Sequence, residues 1–356
     1  MMRTVDLLHR WCGGILGLVL FILGLSGTVL LHKEEWIMLP HANDTKVEDP
    51  IKIASLTANL LSKSPQTKRI TFPTDRFGLV QMGSAAGSGA YATQAGNIID
   101  RWDSQWERPE LWLIDLHHHL FAGQSGQTVI KIAGLAVVMF SITGTVLWWQ
   151  TRRTFQLRLF PARMTRSSIL RHHRDLGVVA TPLLLISALT GTMMISRPLA
   201  TIILSPFSSP TAFKQDLAPP KYVGGKLSPT LDWAAVVMKS YRTYPDAQLR
   251  ELSLPTSYGE LIAVNMKQNA EWPPNGNIIL WFDASSGQVV DHRGASKMAT
   301  GTQLFNMAYP VHAAKVGGLL YRLVMTLCGV AMTLLGSFAV WSFWFKRTER
   351  WTKQVN

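Results

Sequence analysis

Charged residues and cysteines are both scarce in this sequence. Charged side chains make up 16% of the 356 residues, against about 25% in an average soluble protein. The only cysteines are Cys12 and Cys328, which excludes a disulfide framework and any Cys/His zinc site of ordinary spacing. A P-loop, a dinucleotide-binding fingerprint and a GxSxG nucleophile motif are also missing. The sequence is therefore unlike that of a soluble nucleotide-dependent enzyme.

Charge is absent altogether from four long hydrophobic stretches. They contain 18 to 23 residues each and cover 12–31, 132–149, 176–196 and 323–345. About 20 apolar residues in a helix cross the ~30 Å hydrocarbon core of a bilayer. A buried core helix would explain one such stretch but not all of them, so the sequence predicts a polytopic membrane protein with four transmembrane helices surrounded by membrane lipid.

The net charge of +13 comes from a few short segments rather than from a nucleic-acid-binding surface. Residues 1–11, 150–175 and 346–356 hold 13 of the 35 Lys and Arg residues but only three acidic residues. By the positive-inside rule these segments face the cytoplasm, and segments 33–131 and 197–322 lie across the membrane. We therefore expect a multi-pass protein with both termini cytoplasmic and no nucleic-acid partner.

The chain also repeats one plan, with residues 1–150 as the first copy and 166–347 as the second. An HRxxG pattern begins at His9 and again at His173. In both copies a small-residue motif follows, with its glycine 18 residues after the histidine: Ser26-Gly27-Thr28 in the first and Thr190-Gly191-Thr192 in the second. We interpret this pattern as an internal duplication. Each copy contains a helix that crosses the membrane to the outer side, an outer segment, and a helix that crosses back.

The duplication divides the chain into membrane, outer and cytoplasmic parts. Membrane helices and their histidine segments are predicted within 1–31, 116–150, 172–197 and 309–347, outer segments within 32–115 and 198–308, and cytoplasmic segments within 151–171 and 348–356. The second outer segment shows a helical stretch at 231–244, strands at 261–266, 277–282 and 288–291, and a turn at 283–287. The first begins with a helix at 51–61 and then becomes too rich in Gly, Ser and Ala for strands to be assigned. The predicted fold class is a mainly α membrane protein, with four transmembrane helices from an internal duplication and two extracytoplasmic α+β modules.

Four of the ten histidines occupy equivalent places in the two copies. His117 and His312 precede the returning helices. His9 and His173 begin the outgoing helices, and each is followed on the same helical face by small residues: Gly13, Gly17, Gly24 and Gly27 in the first copy, and Gly177, Thr181, Ala188 and Gly191 in the second. Such stripes also serve helix packing. Each stripe is preceded by a histidine. This arrangement additionally suggests an axial ligand with room beside it for a flat macrocycle.

Two facing imidazoles give a six-coordinate haem iron suited to electron transfer. We therefore predict two b-type haems, one held by His9 and His173 at the cytoplasmic depth and one by His117 and His312 at the outer face. A dinuclear metal site is disfavoured because no acidic residue lies within the charge-free stretches, and purely structural histidines are the other alternative. Several neighbours leave the assignment open: His118 or His119 instead of His117, His172 instead of His173, and His32 as a reserve for the outer site.

The sequence resembles the PepSY-associated transmembrane family of bacterial inner-membrane proteins. The resemblance covers essentially the whole chain and rests on the HRxxG and Ser-Gly-Thr motifs, LLHKEEW at 30–36, LHHHL at 116–120, TGTVLWW at 143–149 and YPVH at 309–312. The second outer segment resembles a PepSY domain, with FDASSGQV at 282–289 as its strand–turn–strand. The first outer segment departs from that pattern.

The resemblance implies a protein similar to siderophore-iron reductases, with b-type haems in a four-helix membrane domain and a periplasmic Fe(III)–siderophore as substrate. Hydroxamate and catecholate chelators hold Fe(III) far better than Fe(II), so one electron is enough to loosen the metal. With no flavin or nicotinamide domain in the chain, the electron must come from a quinol or an unidentified redox partner. Arg10, Arg171 and Arg174 are candidate partners of haem propionates, or else solvated positive-inside charges.

A second class of function is also compatible with the sequence. PepSY-like modules could recognise or regulate a periplasmic partner, in which case the protein is not an enzyme and its histidines are structural. A permease for the iron chelate is disfavoured because none of the four stretches carries an internal charge and four helices leave little room for a substrate path.

Overall fold

The structure is a computed structural model whose described residues are 2–85, 87–157 and 160–355, with side chains described for all of these except 295 and 345–355. The basic tail residues after 345 therefore lie outside the described side chains. The α-helices are α1 (Met2–Leu30), α2 (Lys33–Trp36), α3 (Pro50–Lys63), α4 (Pro109–His119), α5 (Gly123–Thr151), α6 (Arg166–Ile195), α7 (Arg197–Leu204), α8 (Pro210–Leu217), α9 (Trp233–Thr243), α10 (Thr300–His312) and α11 (Gly318–Val355). The strands are β1 (Thr67–Thr71), β2 (Val80–Ser84), β3 (Gly89–Ala92), β4 (Ile98–Trp102), β5 (Ala247–Ser253), β6 (Ile262–Gln268), β7 (Ile278–Phe282) and β8 (Val289–Arg293).

The chain folds into two compact units. The first, called here the helical unit, comprises Met1–His32, Leu113–Ile203 and Val311–Asn356, and the second, the sheet unit, comprises Lys33–Trp112 and Leu204–Pro310. The predicted class is confirmed: the protein is mainly helical, with four long apolar helices and an antiparallel β region.

Four helices of the helical unit are long and apolar enough to cross a membrane. Their spans are Met2–Leu30, Gly123–Thr154, Arg166–Ile195 and Gly318–Trp344, so the protein is a multi-pass membrane protein. Each helix extends beyond its charge-free stretch, because backbone hydrogen bonds continue through polar flanks and long basic side chains reach back to water. Helix α1 packs against α5 and α11, and α6 packs against the same two helices.

The glycine stripe of α1 is used largely for this packing. A Cβ on Gly17 would lie 2.8 Å from the carbonyl oxygen of Gly336, and a Cβ on Gly24 would lie 2.8 Å from that of Gly329. Only glycine allows the backbones of α1 and α11 to approach so closely. The packing explanation therefore holds for the middle of the stripe, while its last glycine, Gly27, contacts a histidine.

The sheet unit contains one antiparallel sheet of eight strands in the order β4-β3-β2-β1-β5-β6-β7-β8. The two predicted modules share it: each supplies a helix followed by four strands, and β1 pairs with β5, with Ile70 opposite Leu252. Helices α3 and α9 pack on one face, where their apolar side chains and those of the strands form a continuous core. Both helices begin at an aspartate whose carboxylate accepts a backbone N–H, Asp49 for α3 and Asp232 for α9.

The predicted turn after β7 is held by Asp283. Its carboxylate accepts hydrogen bonds from the hydroxyls of Ser285 and Ser286, from the Ser286 backbone N–H and from the Gly225 backbone N–H. These bonds hold the pKa of Asp283 well below its usual range, with Ser285 and Gly225 as the largest causes. Gly287 closes the turn with φ of 65°, a conformation that favours glycine.

Two histidine pairs in the helical unit

The first pair joins the beginnings of α1 and α6. The ring centroids of His9 and His173 lie 6.3 Å apart, and the ring planes are nearly perpendicular at 88°. With metal–nitrogen bonds of about 2 Å and a ring centroid roughly 1 Å from each nitrogen, two imidazoles on opposite sides of one metal have centroids about 6 Å apart. The spacing of 6.3 Å therefore fits two imidazoles that share one metal ion.

The second pair joins the ends of α4 and α10. The rings of His117 and His312 also have centroids 6.3 Å apart, with an interplanar angle of 51°. Both helices stop here because the chain then adopts left-handed backbone conformations, at Leu120 and Phe121 in one copy and at Ala314 in the other. The two copies of the duplication thus place equivalent histidines at equivalent helix ends.

The two pairs are far apart along the helices. His117 lies against Gly27 near the end of α1, whereas His9 lies near its beginning, 18 residues earlier. At 1.5 Å per residue this interval corresponds to about 27 Å along the helix axis. We refer to the pairs as the inner pair (His9 and His173) and the outer pair (His117 and His312).

Three of these four histidines have a hydrogen-bonded Nδ1. The partner of His9 is the Thr143 hydroxyl at 2.8 Å, that of His117 is the Ser26 hydroxyl at 2.9 Å, and His312 lies 3.0 Å from the carbonyl oxygen of Ser187. Because Nδ1 is engaged in each case, Nε2 is the nitrogen left to bind a metal. Metal-binding histidines usually donate the other ring N–H to an oxygen in this way. The Nδ1 of His173 is buried and has no partner of normal hydrogen-bond geometry in the described part of the chain; the nearest acceptor for this ring is the backbone of Leu335.

Glycines make room for the histidine rings. A Cβ on Gly27 would lie 3.0 Å from Cε1 of His117, one on Gly191 would lie 2.9 Å from Cε1 of His312, and one on Gly144 would lie 3.4 Å from Cε1 of His9. The first two distances are shorter than a normal carbon–carbon contact of about 3.5–4.0 Å. Any larger residue at Gly27 or Gly191 would therefore displace the ring beside it.

A cavity of about 550 Å³ adjoins the inner pair. Its lining includes both histidines, the glycines at 13, 144 and 177, and the charged residues Asp6, Arg10, Arg166 and Arg174. This volume lies within the 300–1,000 Å³ range of ordinary cofactor pockets. The helical unit thus has space for a cofactor directly beside His9 and His173.

The arginines at this cavity differ partly from those expected. Arg10, Arg166 and Arg174 line it, whereas Arg171 is exposed and donates to the Ser167 carbonyl. Arg174 is already engaged by Asp175 at 2.7 Å. The Nε of Arg166 is buried without a hydrogen-bond partner among the described residues, which makes Arg166 the arginine best prepared to bind an anionic group in the cavity. No pattern in the sequence distinguishes Arg166 from the other arginines between α5 and α6.

Burial keeps the outer histidines neutral. Desolvation, followed by the neighbouring His312 and His118 rings, lowers the pKa of His117 to about 3. Burial also lowers the pKa of His312. At neutral pH each ring therefore carries one N–H and one free lone pair, and a neutral imidazole is the form that binds a metal.

The remaining histidines near the pairs have other surroundings. His119 is 3.0 Å from Asp115, and His32 is hydrogen-bonded to Thr326 at 2.8 Å. His172 is buried against Phe338, with a ring-centroid distance of 5.6 Å. The ring of His118 lies 5.7 Å from that of His117. Of the histidines that the sequence left open, the structure brings His117 and His173 into the facing pairs.

The composition of the two sites limits what they can bind. Among the described residues, no group of three or more His, Cys, Asp or Glu side chains is close enough to hold one metal ion. Protein zinc and dinuclear sites need such groups. At the inner pair, two imidazoles 6.3 Å apart with a cavity beside them fit a metal whose other ligands come from a macrocycle.

The hydroxyls that hydrogen-bond to the histidines were not predicted from the sequence. Ser26, Thr143 and Thr190 each begin a Ser/Thr-Gly-Thr motif, which occurs at 26–28, 143–145, 190–192 and 300–302. The recurrence of that motif was the available signal. Its relation to the histidines could be found only from the structure, which places three of the four copies beside a ring and the fourth, at 300–302, beside Ser208.

Comparison with protein families identifies one match. The family described as PepSY-associated TM region matches residues 7–347, which is nearly the whole chain and includes both histidine pairs. No curated protein matches the chain at a significant level.

Proposed function

We propose that this chain, which belongs to the PepSY-associated TM region family, is a haem-containing reductase of the bacterial inner membrane that reduces a periplasmic Fe(III)–siderophore and releases Fe(II). The observation that carries the proposal is the pair of facing histidines found twice, with ring centroids 6.3 Å apart in each pair. The finer assignment to the siderophore-iron reductase type rests on the sequence resemblance.

Four residues would hold the cofactor. His9 and His173 would bind one b-type haem, and His117 and His312 a second, each through Nε2. A bis-histidine haem supplies a one-electron carrier whose iron has no open position for oxygen. A site made of two neutral imidazoles and few other polar groups suits electron transfer. It suits a reaction in which a substrate binds the iron less well.

The residues around the inner pair have separate tasks. Glycines at 13, 144 and 177 leave the space that a flat ring system needs. Arg10 and Arg166 offer positive charge at the edge of the cavity, where the carboxylates of a haem would otherwise be unpaired. Leu, Val and Phe side chains form much of the remaining lining and give the cavity a largely apolar wall.

The orientation follows from charge. Arginines concentrate in the segment between α5 and α6 and at the beginning of α1, which supports a cytoplasmic location for the inner pair and a periplasmic location for the outer pair. The outer pair is therefore the one placed to deliver electrons to a periplasmic substrate. The sheet unit, which follows α1 and α6 in the two copies, belongs on the same periplasmic side.

The chemistry of the substrate suits this arrangement. Siderophores bind the hard Fe(III) ion through oxygen, and reduction by one electron gives Fe(II), which the same ligands hold much more weakly. No bond to the siderophore has to be cleaved, so the protein needs an electron path and a docking surface rather than a nucleophile. The electron enters from a quinol or another redox partner, because the sequence contains no nucleotide-binding motif.

A second candidate is a non-enzymatic membrane protein whose sheet unit binds or regulates a periplasmic partner. The observation that favours it is an open groove of about 870 Å³ in the sheet unit, whose lining includes Arg69, Tyr222 and Trp281. In that case the histidines are structural and the protein carries no haem.

Rapid mixing tests the proposed reaction. The dithionite-reduced protein, freed of excess reductant, is mixed with a ferric hydroxamate in the presence of an Fe(II)-specific chromophore. The reductase proposal predicts that the haem absorption returns to its oxidised form at the rate at which Fe(II) appears. A haem that stays reduced for minutes with hydroxamate and catecholate chelates would exclude the reductase and leave only an electron-transfer protein.

Two matched variants localise the reaction. His117→Ala removes a proposed ligand of the outer pair and should abolish fast reoxidation. His119→Ala alters a neighbour on the same helix that is paired with Asp115 instead, and it should react like the wild type. Equal loss in both variants would show that the effect comes from the helix end as a whole rather than from the outer pair.

A further inference from the structure

Three of the four facing histidines lie beside a short motif on a neighbouring long helix. Ser26-Gly27 of α1 contacts His117, Thr190-Gly191 of α6 contacts His312, and Thr143-Gly144 of α5 contacts His9. The hydroxyl residue of the motif approaches Nδ1 and the glycine approaches Cε1. We call each such motif a seat.

The seats determine which ring nitrogen carries the proton. Each hydroxyl also bonds to the carbonyl oxygen one turn earlier in its own helix, at 2.7 Å for Ser26, 2.8 Å for Thr143 and 2.6 Å for Thr190. A hydroxyl has a single proton, and a carbonyl can only accept. The hydroxyl oxygen therefore accepts from the imidazole, which requires an Nδ1–H and leaves the lone pair on Nε2.

His312 supports this assignment independently. Its Nδ1 lies 3.0 Å from the Ser187 carbonyl oxygen as well as 3.2 Å from the Thr190 hydroxyl. Since a carbonyl oxygen has no proton to donate, Nδ1 must be the donor. The Nε2 lone pair of His312 is then free to face His117.

The fourth seat lacks its hydroxyl. In the duplication, Gly336 of α11 corresponds to Gly144 of α5, so Leu335 stands where Thr143 stands in the first copy. The backbone carbonyl of Leu335 acts as a hydrogen-bond acceptor for the His173 ring. No hydroxyl reaches this ring, and its buried Nδ1 has no partner of normal hydrogen-bond geometry among the described residues. His173 is thus the exception among the four facing histidines.

We propose that Ser26, Thr143 and Thr190 are positioning residues that fix the Nδ1–H tautomer of three metal-binding histidines, and that Leu335 leaves His173 as the one ligand without this support. The proposal rests on the function proposed above, since it concerns the ligands of the same two sites. It adds a difference between the sites: both outer ligands are supported by a hydroxyl, whereas only one inner ligand is.

The difference has a chemical consequence. An acceptor on Nδ1–H increases the electron density at Nε2 and so favours the oxidised state of the bound metal. Supplying the missing hydroxyl at position 335 should therefore lower the reduction potential of the inner centre alone. Removing the hydroxyl of Thr143 should raise it.

The test compares Leu335→Thr with Leu335→Val in the full-length protein. Thr and Val have nearly the same shape, so the hydroxyl is the only difference between the two variants. We expect the equilibrium between the oxidised and reduced inner centre to favour the oxidised state about tenfold more in the Thr variant than in the Val variant. This corresponds to a reduction potential lower by about 59 mV for one electron. Equal inner potentials in the two variants, or an equal shift of the outer centre, would overturn the proposal.

Ring ¹⁵N NMR of histidine-labelled protein gives a readout that does not require haem. It is recorded on the diamagnetic reduced protein, or on the protein as purified if no haem is present. We expect Nδ1–H tautomers at His9, His117 and His312, loss of the fixed tautomer at His9 in Thr143→Val, and its retention in Thr143→Ser. An Nε2–H tautomer at these histidines would refute the seat proposal. Absence of haem with the expected tautomers would refute only the proposed function.

Discussion

A single methyl group at position 191 should disrupt the outer site. A Cβ there would lie 2.9 Å from Cε1 and 3.3 Å from Nδ1 of His312, whereas carbon atoms in contact are about 3.5–4.0 Å apart. The ring would have to move by roughly 0.6–1 Å, which exceeds the tolerance of about 0.5 Å for a preorganised site. Its hydrogen bond to Ser187, at 3.0 Å, opposes that movement.

We therefore expect Gly191→Ala to weaken haem binding at the outer pair about 10- to 100-fold, the range found when a metal ligand loses its support. The helix itself should persist, since Ala favours helix over Gly by up to about 1 kcal/mol. The haem-to-protein ratio of the purified variant and its low-spin absorption provide the measurement. The inner haem should remain.

Gly177→Ala is the matched control on the same helix. Its Cβ would meet Leu335 at 3.8 Å, an ordinary contact, and it is remote from His312. The outer haem should be retained in this variant whatever happens at the inner cavity. A Gly191→Ala protein with both haems and an unchanged spectrum would refute the argument from ring displacement.

Three further predictions concern pairing, topology and stability. His9→Ala and His173→Ala should each remove the same haem, and the double variant should be little worse than either one; additivity, measured as haem content, would show that they belong to different sites. A cytoplasm-active reporter should give signal when fused after Asn356 and none when inserted within 206–226, and the reverse pattern would overturn the orientation. Asp283→Ala should destabilise the sheet unit by about 1–3 kcal/mol through lost charge-assisted hydrogen bonds, seen as a lower thermal midpoint. Because the pKa of Asp283 is depressed in the fold, its contribution should be complete at neutral pH and should disappear as the pH falls through the unfolded value of about 3.9 and below; a difference between wild type and variant that stays constant down to pH 2 would contradict this.

The long helices could be predicted because membrane spans need charge-free stretches of a minimum length. The strands of the sheet were harder to predict from the sequence. Strands β2 and β3 contain several Gly, Ser and Ala residues in place of alternating apolar side chains, so they carry little periodic signal. The pairing of β1 with β5 joins segments about 180 residues apart, such as Ile70 and Leu252, and no local pattern reports a contact of that kind.

The candidate site, like the fold, could be predicted from the sequence only in part. Repetition in the sequence selected His9, His173, His117 and His312, since each has a counterpart in the other copy. Which member of His117-His118-His119 faces His312 depends on where α4 ends, and that is decided by the left-handed residues after it. Arg166 could not be distinguished from other arginines, because burial of its Nε depends on tertiary packing.

The measurement that most directly tests the account is the haem content and spectrum of the purified full-length protein. Two facing imidazole pairs predict two b-type haems per chain, both six-coordinate and low-spin in the oxidised and the reduced state. A red protein with this stoichiometry, whose absorption bands shift on addition of dithionite, is the expected result. A correctly folded protein that is colourless after expression with ample haem supply would contradict the central claim and favour the binding function of the sheet unit.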